Sequence, residues 1–166
     1  MEVKIIRSRR RRRTVSARLV NDLLLIQAPL MLSSERLDKM ISDFKSKFAA
    51  KKIKTELNKE KNLTDLARAL NERYFDNKLK IESIEYSTNQ NSRLGCCNYR
   101  SGKILISHKV GLLPQWVRKY VLVHELAHLI EPNHSRAFWN IVWRYKLTER
   151  ARGYLMAANM RMKEGG

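Results

Sequence analysis

The sequence predicts an α+β fold, on three observations. Short runs of alternating apolar residues fill the first thirty positions and recur between about 81 and 107, as strands do. Longer stretches with apolar residues at i, i+3, i+4 and i+7 lie between and after them, as amphipathic helices do. One of these stretches, from Pro114 to about 130, is so apolar that it belongs in the middle of a core.

The elements follow in order. Residues 3–6 are a short apolar run, and 14–20 place Val15, Ala17 and Leu19 on one face. Asn21-Asp22 is a turn signal, and 23–28 returns as a strand that Pro29 ends. Ser33-Ser34-Glu35 opens a helix, with serine as N-cap and an acid in the first turn. Leu37, Met40, Ile41, Phe44 and Phe48 form its inward stripe. Past Ala50 the chain turns Lys-rich and reads as an exposed helix or a linker to about Asn62. Thr64-Asp65 caps a second helix with Leu66, Leu70 and Tyr74 on one side.

Residues 81–87, 93–99 and 103–107 read as strands, the last two joined around Arg100-Ser101-Gly102. Pro114 suits the start of the apolar helix, in which Leu122, Val123, Leu126, Leu129 and Ile130 oppose His124 and His128. Ser135 caps a further helix to about Tyr145, and Thr148 begins a last one to about Met162.

A chain of 166 residues suits one compact domain, 1–166. Within it the reading separates a basic β region (1–31), a helix with a Lys-rich connector (32–62) and a core (63–166). Lys and Arg number 34 against 16 Asp and Glu, a net charge of +18. Such an excess attracts polyanions, so nucleic acid or an anionic surface is an expected partner. The first residues have no apolar leader, and no run approaches the roughly 18 apolar residues of a membrane span. Cys96 and Cys97 are adjacent and cannot staple distant segments, which makes a reducing cytoplasmic setting the default.

The chemistry concentrates in His124-Glu125-Leu126-Ala127-His128 and His134, a window holding three of the four histidines. Four residues apart on a helix, His124 and His128 project from one face and can grip one metal ion. Glu125 lies beside that face, where a carboxylate can take a proton from a metal-activated water. A catalytic zinc wants three protein ligands and an open position. Glu131, seven residues after His124, competes with His134 for the third place. Pro132 disfavours helical geometry at 131, ends the helix and favours His134. Burying two histidines and a glutamate on an apolar helix is costly without a partner, and one Zn2+ ion supplies it. A closed structural zinc, with Cys96 or Cys97 as fourth ligand, is the alternative.

Around this window, His124-Glu125-Leu126-Ala127-His128-Leu129, Asn133-His134-Ser135 and Phe138-Trp139 resemble the signature of YgjP-like metallopeptidases, relatives of the SprT-like proteases. Arg93-Leu94-Gly95-Cys96-Cys97 is similar to the family's Arg-Trp-Gly-Ser-Cys segment, with Leu94 for the usual Trp and Cys96 for the usual Ser. The following Gly102-Lys103-Ile104-Leu105-Ile106, the basic stretch before Val15 and Ala28-Pro29 also look like the family's, so the resemblance covers nearly the whole chain. It implies a zincin-like metallopeptidase domain: a small sheet packed on the active-site helix, preceded by an N-terminal β-hairpin region. It also implies His124, His128 and His134 as zinc ligands and Glu125 as general base. An edge strand would align a peptide or protein substrate by β-augmentation, with 93–99 as the rim.

Other residues read more plainly. His108 is a surface or strand-terminal residue; Trp116, Trp139 and Trp143 are core or pocket wall; Cys96 and Cys97 are small buried residues. Tyr154, Tyr145 and Arg93 all remain open as oxyanion partners. Arg7, Arg9, Arg10, Arg11, Arg12 and Arg13, six arginines in seven positions, form either a solvated hairpin loop or a clamp on nucleic-acid phosphates. The expected function is a zinc-dependent peptidase, a hydrolase acting near nucleic acid. The alternative is a basic nucleic-acid-binding protein with a structural or vestigial zinc site.

Overall fold

The computed structural model describes residues 2–59, 62–90 and 93–158. The chain forms two compact units, Met1–Lys52 and Ile53–Gly166. Among the described residues no helix is long and apolar enough to cross a membrane.

The first unit is a three-stranded sheet of β1 (Glu2–Ser8), β2 (Ser16–Val20) and β3 (Leu23–Pro29), in the order β1-β3-β2. Strands β2 and β3 form a hairpin across Asn21 and Asp22, whose φ angles of 48° and 63° suit the tight two-residue turn. Asn and Asp tolerate that left-handed geometry better than other side-chain-bearing residues. Strand β1 pairs with β3 in parallel, so β1 and β2 are not neighbours. The expected hairpin around the arginine run is thereby corrected. The run joins the two outer strands, and β3, the most apolar strand, takes the centre.

Leu24, Ile26 and Ala28 of β3 are fully buried. They pack with Ala17 and Leu19 of β2 and with Leu37, Ile41, Phe44 and Phe48 of α1 (Ser34–Lys59). The Lys-rich segment is therefore helix rather than linker. Its last turns belong to the second unit, where Leu57 joins the main core. There the Asn58 amide donates to the Tyr86 carbonyl at 3.2 Å and accepts from its N–H at 2.9 Å.

In the second unit α2 spans Asn62–Phe75. Its buried face is Leu63, Ala67, Leu70 and Asn71, with Leu66 and Tyr74 only half-buried. The expected start at Thr64-Asp65 is thus two residues late. Asn71 hides in the apolar stripe because its amide ties down the following turn, donating to the Leu79 carbonyl and accepting from the Leu79 N–H.

The second sheet has β4 (Ser83–Ser87), β6 (Lys103–Ser107) and β5 (Gly95–Asn98) in the order β4-β6-β5. Strand β4 is parallel to β6, and β5 antiparallel to it. Gly102, at φ +68°, closes the β5–β6 turn, and a β-carbon there would sit 2.9 Å from the Lys80 carbonyl. A 3₁₀ turn, His108–Leu112, leads to α3 (Gln115–Ala127), followed by α4 (Arg136–Val142) and α5 (Thr148–Ala157). Helix α3 touches α2, α4, α5 and β5. Its residues 120–127 are all buried, as the apolar pattern requires.

Two further boundaries differ from expectation. Helix α3 stops at Ala127, where tighter bonds from Leu129 N–H to Leu126 and Ile130 N–H to Ala127 take over. Ile130 therefore leaves the helix and is 48% exposed rather than facing the core. Helix α4 ends at Val142, because the Thr148 hydroxyl donates to the Val142 and Tyr145 carbonyls and folds the chain back. The expected end of the last helix, Met162, lies outside the described residues.

Candidate metal centre

Helix α3 brings His124 and Glu125 into the core and leaves His128 at its C-cap, half-buried. The chain then turns through Pro132 and returns His134 to the helix end. The Nε2 atoms of His124 and His134 lie 3.0 Å apart. One ligand nitrogen from each of His124, His128 and His134 falls within 4.8 Å of the others, the single such group among the described residues. Two imidazole nitrogens on one tetrahedral zinc would sit about 3.3 Å apart, so the group fits that ion.

Glu131 takes another part. Its backbone carbonyl lies 3.2 Å from His128 Nδ1. That contact orients the His128 ring and leaves Nε2 for the metal. The tight turn after Ala127 puts the carbonyl there, and Glu131 is absent from the ligand group.

Aromatic rings hold the three imidazoles. Phe138 stacks on His128 at 4.5 Å and meets His124 and His134 edge-on at 4.8 and 4.7 Å. Trp139 lies nearly parallel to His134 at 6.0 Å, with the Arg152 guanidinium over its ring at 4.8 Å. Arg152 is tethered by Glu149 at 3.0 Å, and Glu149 also accepts from the Trp143 indole. Ser135, the N-cap of α4, accepts from the Phe138 N–H at 3.2 Å. The cap thus sets both the position of Phe138 and the point where the His134 loop ends. The bracing by Phe138 and Arg152 was not read from the sequence, although the Ser135–Phe138 spacing is a capping signal.

Burial sets the electrostatics. It holds His124 well below its ordinary value, with His128, His134 and Arg152 adding to the effect. His128 is lowered chiefly by burial as well. Neutral imidazoles are the metal-binding form. Burial drives the Glu125 carboxyl up to about 8, partly opposed by the Arg93 charge. A divalent cation beside it would favour the carboxylate.

A cleft of about 580 Å³ opens on these groups. Arg93, Gly95, Cys96, Cys97 and Tyr99 line one side, and Pro132 to Ser135 another. Strand β5 is an edge strand. Because the Ser107 N–H donates to the Leu94 carbonyl, the alternate residues Gly95 and Cys97 turn their N–H and C=O toward the free edge.

The remaining candidates separate. The Cys96 and Cys97 side chains are half-buried at the cleft, outside the ligand group; burial, with Glu125 nearby, pushes the Cys97 thiol up to about 12. His108 is buried rather than at the surface, just past β6, its Nδ1 3.4 Å from the Ser87 carbonyl. Trp116 and Trp139 are partly buried against the core, and Trp143 is 52% exposed. The Tyr145 hydroxyl donates to the Trp116 carbonyl at 2.8 Å, and Tyr154 packs edge-on against Trp116. Arg93 is the one oxyanion candidate of the three that lines the cleft.

The arginine run divides. Arg7 donates to the carbonyls of Leu30 and Leu32, and Arg11 to Gln27 and Thr14. Arg9, Arg10, Arg12 and Arg13 have no hydrogen bond or ion pair among the described residues.

A family model described as YgjP-like, metallopeptidase domain matches residues 30–147. The structure is also similar to the crystal structure of the metallopeptidase zymogen of Pyrococcus abyssi abylysin, with a TM-score of 0.52 and 22% identity. That match covers 60% of this chain and 98% of the other, and at such identity it speaks to the fold. No curated protein matches the chain.

Proposed function

The chain belongs to the YgjP-like metallopeptidases, and on that premise we propose that it is a zinc peptidase with His124, His128 and His134 as ligands of one ion. The observation that carries this reading is the clustering of three imidazole nitrogens beside a buried glutamate that borders an open cleft. Bound zinc supplies Lewis acidity, polarising a scissile carbonyl and acidifying water.

The chain's own residues do the rest. Glu125 takes the proton from the attacking water and passes it to the leaving amine. Arg93, whose charge already acts on Glu125, is the cleft cation that would steady negative charge on the carbonyl oxygen. The free edge of β5 pairs with an extended peptide through the backbone of Gly95 and Cys97. Cys97, a protonated thiol, suits a reducing, cytoplasmic setting and is not a ligand.

The first unit has a second part in this reading. It carries 14 Lys and Arg against 5 Asp and Glu in 52 residues, and Arg9, Arg10, Arg12 and Arg13, close together in sequence, lack a side-chain partner among the described residues. These features favour non-specific contact with nucleic-acid phosphates, so that the substrates would include proteins found near nucleic acid.

Metal removal tests the peptidase. The chelated protein should leave an unfolded protein substrate intact, and one equivalent of zinc should restore cleavage. Cleavage that persists after chelation, with zinc shown to be gone, would contradict the proposal.

A further inference from the structure

Strand β5 meets helix α3 at an unusually close point. A β-carbon added to Gly95 would lie 2.4 Å from Oε1, 2.6 Å from Cδ and 2.7 Å from Cγ of Glu125. Among the described glycines only Gly102 has a positive φ, so Gly95 is not needed for its backbone conformation. Any residue could adopt the strand geometry at 95. What glycine supplies is the volume that the Glu125 side chain fills.

We infer that Gly95 is a positioning residue for Glu125, seating the carboxyl by leaving it the space of a side chain. The inference rests on the reading of Glu125 as general base. Residues 95 and 97 lie on one face of β5. The Glu125 carboxyl lies against Gly95 on this face, and Cys97 lines the same cleft as Glu125. The neighbours of Glu125 on α3, His124 and Leu126, are themselves buried, and Glu125 is only 3% exposed. A carboxyl pushed off Gly95 can move toward the cleft that Glu125 borders. The same residue turns its N–H and C=O to the free edge of β5. One glycine therefore holds the base and borders the substrate strand, fixing the distance between them.

Two measurements on the full chain test this. The first needs no metal and no activity: thermal denaturation of the metal-free wild type, Gly95→Ala, Glu125→Ala and the double variant. Gly95→Ala should lower Tm by about 3–10 °C as an overpacking substitution. In the Glu125→Ala background the same change should cost only a small fraction of that. Equal losses in both backgrounds would overturn the contact. If Gly95→Ala does not fold, a folded double variant supports the contact, and failure of both overturns it.

The second measurement is steady-state cleavage by the zinc-loaded proteins. Gly95→Ala should keep its zinc equivalent and a KM within about twofold, while kcat falls on the order of 10²-fold from a misplaced base. An unchanged kcat overturns the positioning role. A thermal cycle that holds while zinc-loaded wild type cleaves nothing would sink the peptidase reading and leave the Gly95–Glu125 contact supported.

Discussion

Glu125 is where burial and chemistry pull against each other. A base must lose its proton, yet burial raises this carboxyl from 4.5 to about 8. In metal-free protein the folded state then keeps a proton that the unfolded chain releases near 4.5, so Glu125 makes stability fall as pH rises through that window. The histidines act with the opposite sign. His124 and His128 are lowered from 6.5, stay neutral when folded and are protonated when unfolded, so their contribution grows with pH and levels off only about one unit above 6.5. Between about pH 7 and 8 the fall from Glu125 outweighs the little that they still add. Metal-free wild type should therefore lose about 1 kcal/mol net over that interval, because Glu125 falls by at most roughly 1.4 kcal/mol per unit and is itself half titrated near 8. Glu125→Gln should lose far less. Denaturant melts of the two proteins at about pH 7 and 8 check this, and parallel losses would mean that Glu125 is not the group responsible.

At the scale of elements, the loop from His128 to Ser135 makes the site, and its two ends are both fixed. The Glu131 carbonyl on His128 fixes one, and the Ser135 cap on Phe138 fixes the other. Ser135→Ala should lower stability by about 1 kcal/mol, read as a Tm drop of about 2–4 °C; an unchanged Tm would show that the cap contributes nothing. Much of this was legible in the sequence. Helix α3 announced itself through its run of apolar residues, and Pro132 pointed to a helix end near 131, which the structure places earlier, at Ala127. The parallel pairing of β1 with β3 was not legible, since alternation reports which face is buried and not which strand lies alongside. The α2 start was misread because Thr64-Asp65 looks like a cap, whereas the helix already runs from Asn62, and buried Asn71 looks polar in the pattern while serving the fold. Arg7 looked like a surface charge, but its role is to cap two backbone carbonyls. The requirement at Gly95 was invisible for a related reason: a strand glycine shows its cause only when the neighbouring helix is in place.

Across the whole molecule the charge is spread widely, and one stretch of the first unit, 9–13, gathers five arginines within five positions. Arg9, Arg10, Arg12 and Arg13 lie together without partners among the described residues. If these four neutralise phosphates on duplex DNA, they alone should contribute a slope of about −3 to −4 in log affinity against log salt. Replacing all four with Gln should remove that much of the slope with the fold intact. Weak binding that ignores salt would end the nucleic-acid reading and leave the peptidase untouched. The peptidase itself is tested most directly by comparing zinc-loaded wild type with Glu125→Gln on an unfolded protein substrate. Both proteins should hold one equivalent of zinc, and the variant should cleave at least about 10²-fold more slowly. Full cleavage by zinc-loaded Glu125→Gln would contradict the account.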